Sequence, residues 1–380
     1  MSTPQLSSEI VEADDLLSAI ETAHARGWTD GLPIVPPTPD RVLAFLDHIG
    51  AAPDEVLGEF ESRHKTITME KVAINAVMAG CLPEHMPVVV ALVRLTLRGG
   101  LSPGMSTSGW TNIFIVNGPI RNQLSMNYRG DVFGPGNRAN ASIGRAIALC
   151  HRNAFGSVGG AGNDVFSPVP VLDRSTLGQP GQYTMYHLVE NEEDFPSLAP
   201  LHVMRGFHPD DSVVTGMPVH WHAQLGIHEE KGAEAVLDTV NHHIVRQGLL
   251  KRAGSIVLVF PPELATHLVD SGFSKSDVGR YVFEGTTRSK KWMKENGLQT
   301  WSPASPRLEA VEDGDEKKMY AAGGTPDDVL SVVAGGPAGG FVHVIHPFPG
   351  MGFSRRAVSQ RIDVPGPDGT TTHQSRKEER

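Results

Sequence analysis

The sequence predicts an α/β protein of two domains, with mixed sheets flanked by helices and many structured loops. Three observations lead there. Short apolar runs at Ile113–Val116, Ser255–Phe260 and Val329–Ala334 are rich in Val and Ile and end at Gly or Pro, as buried strands do. Around them lie longer stretches with apolar residues at helical spacing, the alternation expected of α/β chains. The 41 glycines and 28 prolines make up about 18% of the 380 residues, against an average of roughly 12%, and are scattered, which marks loops and not a fibrous repeat.

Taken in order, residues 8–26 read as an amphipathic helix with Leu16, Leu17 and Ile20 on one face and Gly27 as its stop. Trp28–Pro37 is an extended segment stiffened by proline. Thr38 as N-cap and Pro39 at the first helical position open a second helix, with Val42, Phe45, Leu46 and Ile49 at helical spacing. Two further helices, Met69–Ala79 and Glu84–Arg98, are parted by Gly80-Cys81-Leu82-Pro83. The strand Ile113–Val116 ends at Asn117-Gly118-Pro119. A loop-rich middle, 117–216, holds a short helix from Ala141 to Cys150 and the glycine-rich Gly156–Gly162. Beyond 217 the style changes: Glu229–Gln247 and Pro262–Ser271 are helical, and Ser274-Lys-Ser-Asp277 is a capping box that opens a helix over 275–284. The domain boundary is therefore set at 216. It separates an N-terminal α/β domain, 1–216, carrying glycine and arginine anion loops, from a C-terminal α/β domain, 217–362. A polar, disordered tail, 363–380, follows. No internal repeat is evident in the sequence.

Composition excludes several classes. The net charge of −10 disfavours nucleic acid or an anionic membrane as partner. Two cysteines, Cys81 and Cys150, rule out a disulfide scaffold and read as core residues. Met1–Glu12 lacks the basic and apolar regions of a signal peptide, and the longest apolar stretch, Met86–Leu97, is too short to span a bilayer. A cytoplasmic protein is expected.

The stretch Phe133–Arg145 carries the most chemical information. Gly134 and Gly136 let successive backbone N–H groups turn toward one point. Asn137 follows, Asn140 caps the coming helix, and its free first-turn N–H groups carry partial positive charge. Arg138 could add a bidentate contact to a carboxylate, phosphate or sulfate, and Arg145 closes the stretch. The plainer alternative is a tight turn with an N-cap, its arginine bonded to a protein carboxylate. Asn117 and Arg121 sit where a strand ends, the usual ligand position in α/β sheets. Seven of the 17 histidines lie between 202 and 243. His202 and His208 flank Arg205 in a polar turn, a setting for a general acid or base or for a structural histidine. His187 and Glu190 precede a run of acids through Asp194. His220 and His222 share one face of a strand and suit a metal, with His202, His228 or Glu229 as a third ligand. A second glycine cradle, Gly335–Gly340, follows a strand, and His343 and His346 alternate with apolar residues just beyond it.

Several stretches taken together, Gly27–Thr38, Glu70–Cys81, Val116–Arg121, Phe133–Arg145 and Leu177–Tyr183, resemble a largely uncharacterised bacterial family. Its members occur beside, or fused to, a small thiol domain named for its selenocysteine-Gly-Ser-Cys motif. The resemblance covers most of residues 25–345 and implies a shared fold and pocket, without a settled reaction. This chain has no Cys-Gly-Ser-Cys, so any thiol domain would be a separate chain.

The residues point first to an enzyme acting on a small anionic metabolite. Asn117, Arg121, Gly134, Gly136, Asn137, Arg138, Asn140, Arg145 and Arg205 would bind the substrate and hold an oxyanion. His202, His187 or Glu190 would move the proton in a lyase or cyclase reaction. No nucleotide, flavin, pyridoxal or metal cofactor is called for. A second reading is a substrate-binding or scaffold subunit that partners a small thiol or selenol protein, or a second copy of itself. A third is a metal-dependent hydrolase centred on His220 and His222.

Overall fold

Local chemistry decides where the elements begin. In this computed structural model, which describes residues 5–102, 109–156, 178–227, 232–247, 254–296, 319–320, 324–348 and 356–364, helix α1 spans Leu16–Ala25. Its start is fixed by Asp15 and Ser18, each accepting the other's backbone N–H, at 2.8 and 2.9 Å. The helix is therefore shorter than expected, and its first turn projects into solvent. Leu16 and Leu17 are 61% and 71% exposed and only Ala23 is buried, so the expected apolar face is not the packed one.

Helix α2 (Pro39–Ile49) buries Val42, Phe45 and Leu46 as expected, although Thr38 makes no side-chain cap. A small hairpin absent from the sequence reading follows, β1 (Val56–Phe60) with β2 (Lys65–Thr68), turned through His64 in the left-handed region. Helices α3 (Met69–Met78) and α4 (Met86–Leu97) come next; α4 is buried along nearly its whole length. After β3 (Thr111–Asn117), the short α5 (Ile120–Gln123) leads to α6 (Arg138–Asn153). Strand β4 (Tyr186–Val189), α7 (Leu201–Met204) and the long β5 (Val213–Gly226) complete the first half.

The second half opens with α8 (Ala233–Arg246) and β6 (Ile256–Phe260), then α9 (Pro262–Asp270) and α10 (Lys275–Thr286). Ser274 and Asp277 form the expected capping box of α10. The minor elements β7 (Arg288–Ser289), α11 (Lys290–Glu295) and β8 (Met319–Tyr320) precede β9 (Val329–Val333), β10 (Phe341–Pro347) and β11 (Val358–Arg361).

The main sheet has the order β4-β3-β5-β10-β6-β9, with β11 added beside β5. Pairs β3–β4 and β6–β9 are parallel; the other neighbours are antiparallel. Each half thus runs strand, helix, parallel strand, antiparallel strand: β3-α6-β4-β5, then β6-α10-β9-β10. The halves meet through β5 and β10, so the topology holds a repeat that the residues do not display. Position 216, where a domain boundary was expected, lies inside β5. Gly216 pairs with Phe114 on one side and Val358 on the other, so the sheet runs unbroken between the halves.

Three cores follow from this layout. Helices α3, α4 and α6 cover Phe114 and Val116, while α8, α9 and α10 cover Ile256, Leu258 and Phe260. The third core joins the halves: Ile113, Ile115 and Met217 pack with Val257, Val259, Leu330 and Val332. The sheet curls around this core until its edges meet, where Asn191 N–H donates to Val333 O at 2.8 Å. Asp363, at the start of the expected tail, pairs with Arg94; residues 365–380 lie outside the described residues, as does most of Gly156–Gly162.

Candidate functional site at the end of the curled sheet

Four of the residues singled out from sequence do come together. Strands β3 and β4 end side by side, which places Asn117 next to Glu190. Asn117 Nδ2 donates to Glu190 Oε2 at 2.6 Å and to Glu192 Oε1 at 2.8 Å, and Leu201 N–H donates to Glu190 Oε2 at 2.8 Å. Lys275, from the first turn of α10, forms an ion pair with Glu190, both side chains being buried. Arg121 donates to Glu190 O at 2.6 Å and pairs with Glu192 and Glu193 at 3.1 and 2.9 Å. Burial pushes the Glu193 carboxyl up, but hydrogen bonds from Arg121 and Asn122 outweigh it and hold the group below the usual range. His202 is fully buried, its Nε2 3.2 Å from Pro209 O and its Nδ1 3.8 Å from Glu192. The cluster is a network, buried at Glu190 and Lys275 and reaching the surface at Glu193, that ties the halves together, with its arginine spent on protein carboxylates.

The glycine and arginine loop is likewise engaged. Helix α6 starts at Arg138, three residues earlier than expected, because Asn137 and not Asn140 is its cap: Asn137 Oδ1 accepts Asn140 N–H at 3.0 Å. Asn140 is buried in the first turn and clamps the Asn127 backbone by donating to its O at 2.9 Å and accepting from its N at 3.0 Å. Arg145 holds Asp30 through two bonds of 2.8 Å and also donates to Pro33 O, fixing the extended 28–37 segment. Burial raises the Asp30 carboxyl and Arg145 overrides it, leaving it below the normal value. Arg205 is spent on Ser359 Oγ and Ala357 O. Arg138 lies exposed and donates to Gly80 O at 3.0 Å.

In the first cradle Gly134 N–H donates to the Asp131 backbone O at 2.8 Å, and the second holds a protein carboxylate. A Cβ on Gly134 would lie 2.1 Å from Asp131 Oδ1, so this glycine makes room for Asp131. In the second, Glu263 Oε2 accepts Gly339 N–H and Gly340 N–H at 2.6 and 3.0 Å. Gly136, with φ of 116°, serves the turn itself. His187 lies against Phe114, and burial pushes its pKa down to about 4.

What the sequence reading did not single out is where these loops converge. At the ends of β5, β6 and β9 and the start of β10 there is a pocket of about 330 Å³. Asp131, Val132 and Phe133 form one wall; Gly335, Gly336, Ala338 and Gly339 form another; Gln224, Val259, Pro261, Phe341 and His343 complete it. The His343 ring stacks on Phe133 at 5.3 Å and on His222 at 5.4 Å, and Tyr186 meets His222 edge-on at 5.2 Å. Burial, helped by the neighbouring His222, pushes the His343 pKa down to about 4, so its imidazole is neutral at pH 7. Its Nδ1 is buried with no hydrogen-bond partner among the described residues. Asp131 adopts φ of 60°, a left-handed conformation uncommon outside glycine, at the rim. The signals in the sequence were the Gly-Asp step before Phe133-Gly134 and the alternation of His343 with apolar residues. Neither says which wall of a pocket it will build.

The expected metal pair separates by environment: His222 joins the stack on His343, whereas His220 lies against Phe348 at 6.3 Å. His202 belongs to the Glu190 network, and His228 and Glu229 lie outside the described residues. Among the described residues no group of three or more His, Cys, Asp or Glu side chains is placed to hold a metal ion. Burial pushes the Cys81 thiol up to about 12 and raises Cys150 as well, so neither is an activated thiolate. No helix among the described residues is long and apolar enough to cross a membrane. No protein-family model matches the chain, and no curated protein does.

Proposed function

We propose that the chain is an enzyme that binds a small metabolite in the pocket at the ends of β5, β6 and β9, and that His343 handles the proton in a lyase-type reaction there. The observation that carries this reading is the His343 imidazole: neutral, clustered with the rings of Phe133 and His222, partly desolvated and on the wall of a pocket of metabolite size. A neutral imidazole can donate a hydrogen bond from one nitrogen and accept at the other, so it can polarise a carbonyl or shuttle a proton without bringing charge into the site. Gln224 adds an amide donor and acceptor, and the glycine wall lets a ligand approach the backbone closely. The Glu190 network supports this site from behind: it locks the ends of β3 and β4 against α10, beside the contact between Asn191 and Val333.

The test is a search for turnover by proton NMR across a panel of small carbonyl and hydroxy metabolites, with wild type and His343→Gln side by side. The expected result is a compound consumed by the wild type and spared by the variant. A compound consumed equally by both would remove His343 from the chemistry.

A further inference from the structure

The pocket also carries information about the charge of what it takes. Among the described residues, Asp131 is the only charged side chain in its lining, and no lysine or arginine lines it. Asp131 forms no ion pair among the described residues, and Arg129, two residues before it, pairs with Asp194 at 3.4 Å. A second carboxylate, Glu263, sits behind the wall on the N–H groups of Gly339 and Gly340. Two phenylalanines, Phe133 and Phe341, are part of the lining, and Phe341 is 38% exposed at the mouth. A carboxylate beside aromatic faces attracts a cation electrostatically and through the ring quadrupoles, whereas an anion would meet repulsion and no compensating donor charge. Asp131 is presented at the rim by a left-handed backbone, with φ of 60°.

We propose that this pocket takes a small molecule bearing an ammonium group, with Asp131 as the residue that holds the cation and Phe133 and Phe341 as its aromatic surface. The proposal rests on the pocket being the functional site, and it replaces the anionic ligand expected from the arginines with a cationic one.

Three probes of similar size and different charge separate these claims: 2-phenylethylammonium, 3-phenylpropionate and 3-phenylpropanol. Their binding to the full chain is measured by ligand-observed NMR titration in wild type, Asp131→Asn and Ala338→Trp. Asparagine is chosen at 131 because it tolerates the left-handed backbone, and tryptophan at the exposed position 338 plugs the mouth without entering the core. The ammonium probe should bind the wild type about tenfold more tightly than the other two. Asp131→Asn should remove that preference, and Ala338→Trp should abolish binding. If all three probes bind equally and Ala338→Trp blocks them, the pocket is a site but the ammonium preference is overturned. If binding of the ammonium probe ignores Ala338→Trp, or no probe binds at all, both the preference and the pocket reading fail.

Discussion

Arginine is the residue on which sequence and structure part most clearly. Asn117 and Arg121 could be grouped from sequence because strand ends collect polar residues, and the structure adds Glu190 from the end of a strand that the sequence did not announce. What could not be read is the partner. A guanidinium seeks carboxylates at any sequence distance, and here Glu192, Glu193 and Asp30 reach Arg121 and Arg145. The Glu190–Lys275 pair makes a sharper prediction. Removing one member of a buried ion pair leaves an uncompensated charge and costs about 3–5 kcal/mol, while replacing both with neutral groups is far milder. Lys275→Met should therefore lower stability strongly in urea titrations, and Lys275→Met with Glu190→Gln should recover a large part of the loss. Equal losses in the single and double variants would show that the pair carries no such coupling.

At the level of elements, legibility followed local chemistry. The capping box at Ser274 and the apolar run of β6 are written in a few adjacent residues, and both appear in place. Helices α1 and α6 start elsewhere than expected because more than one polar residue near each start could cap, and the choice depends on contacts such as Asn140 with the Asn127 backbone. The β1–β2 hairpin was missed because its turn uses His64 instead of a glycine. Helix α6 also carries a glycine whose reason is tertiary. A Cβ on Gly144 would lie 2.0 Å from Thr184 O, in the loop leading to β4. Alanine inside a helix is ordinarily favoured over glycine by about 1 kcal/mol. Gly144→Ala should nevertheless lower the melting temperature, by several degrees, as followed by circular dichroism. A stabilised variant would mean that α6 and β4 can separate at no cost.

For the molecule as a whole, two halves of matching topology share one curled sheet, and the core of the first half holds two buried histidines in neutral form. Burial pushes His151 down to about 3 and His187 to about 4. The unfolded chain takes up these protons near pH 6.5 and the folded chain resists until far lower. Stability is therefore complete above about pH 6.5 and falls as pH drops toward 4, by up to about 1.4 kcal/mol per pH unit for each such ring. Melting temperatures should decline from pH 7 to pH 5, and His151→Asn should show a shallower decline; a flat profile in the wild type would contradict the neutral buried rings. The topological repeat was invisible in the sequence because the halves share strand order and not residues. The two sites it creates differ as well: the ends of β3 and β4 are filled by the Glu190 network, while the ends of β6 and β9 stay open as the pocket. That the open end is the functional one is the central claim, and its most direct measurement is the side-chain NMR titration of His343, assigned against His343→Gln, with and without 2-phenylethylammonium. The account predicts a ring that stays neutral down to about pH 5 and resonances that move when the probe saturates the protein. A His343 that titrates near pH 6.5 and ignores the probe would contradict it.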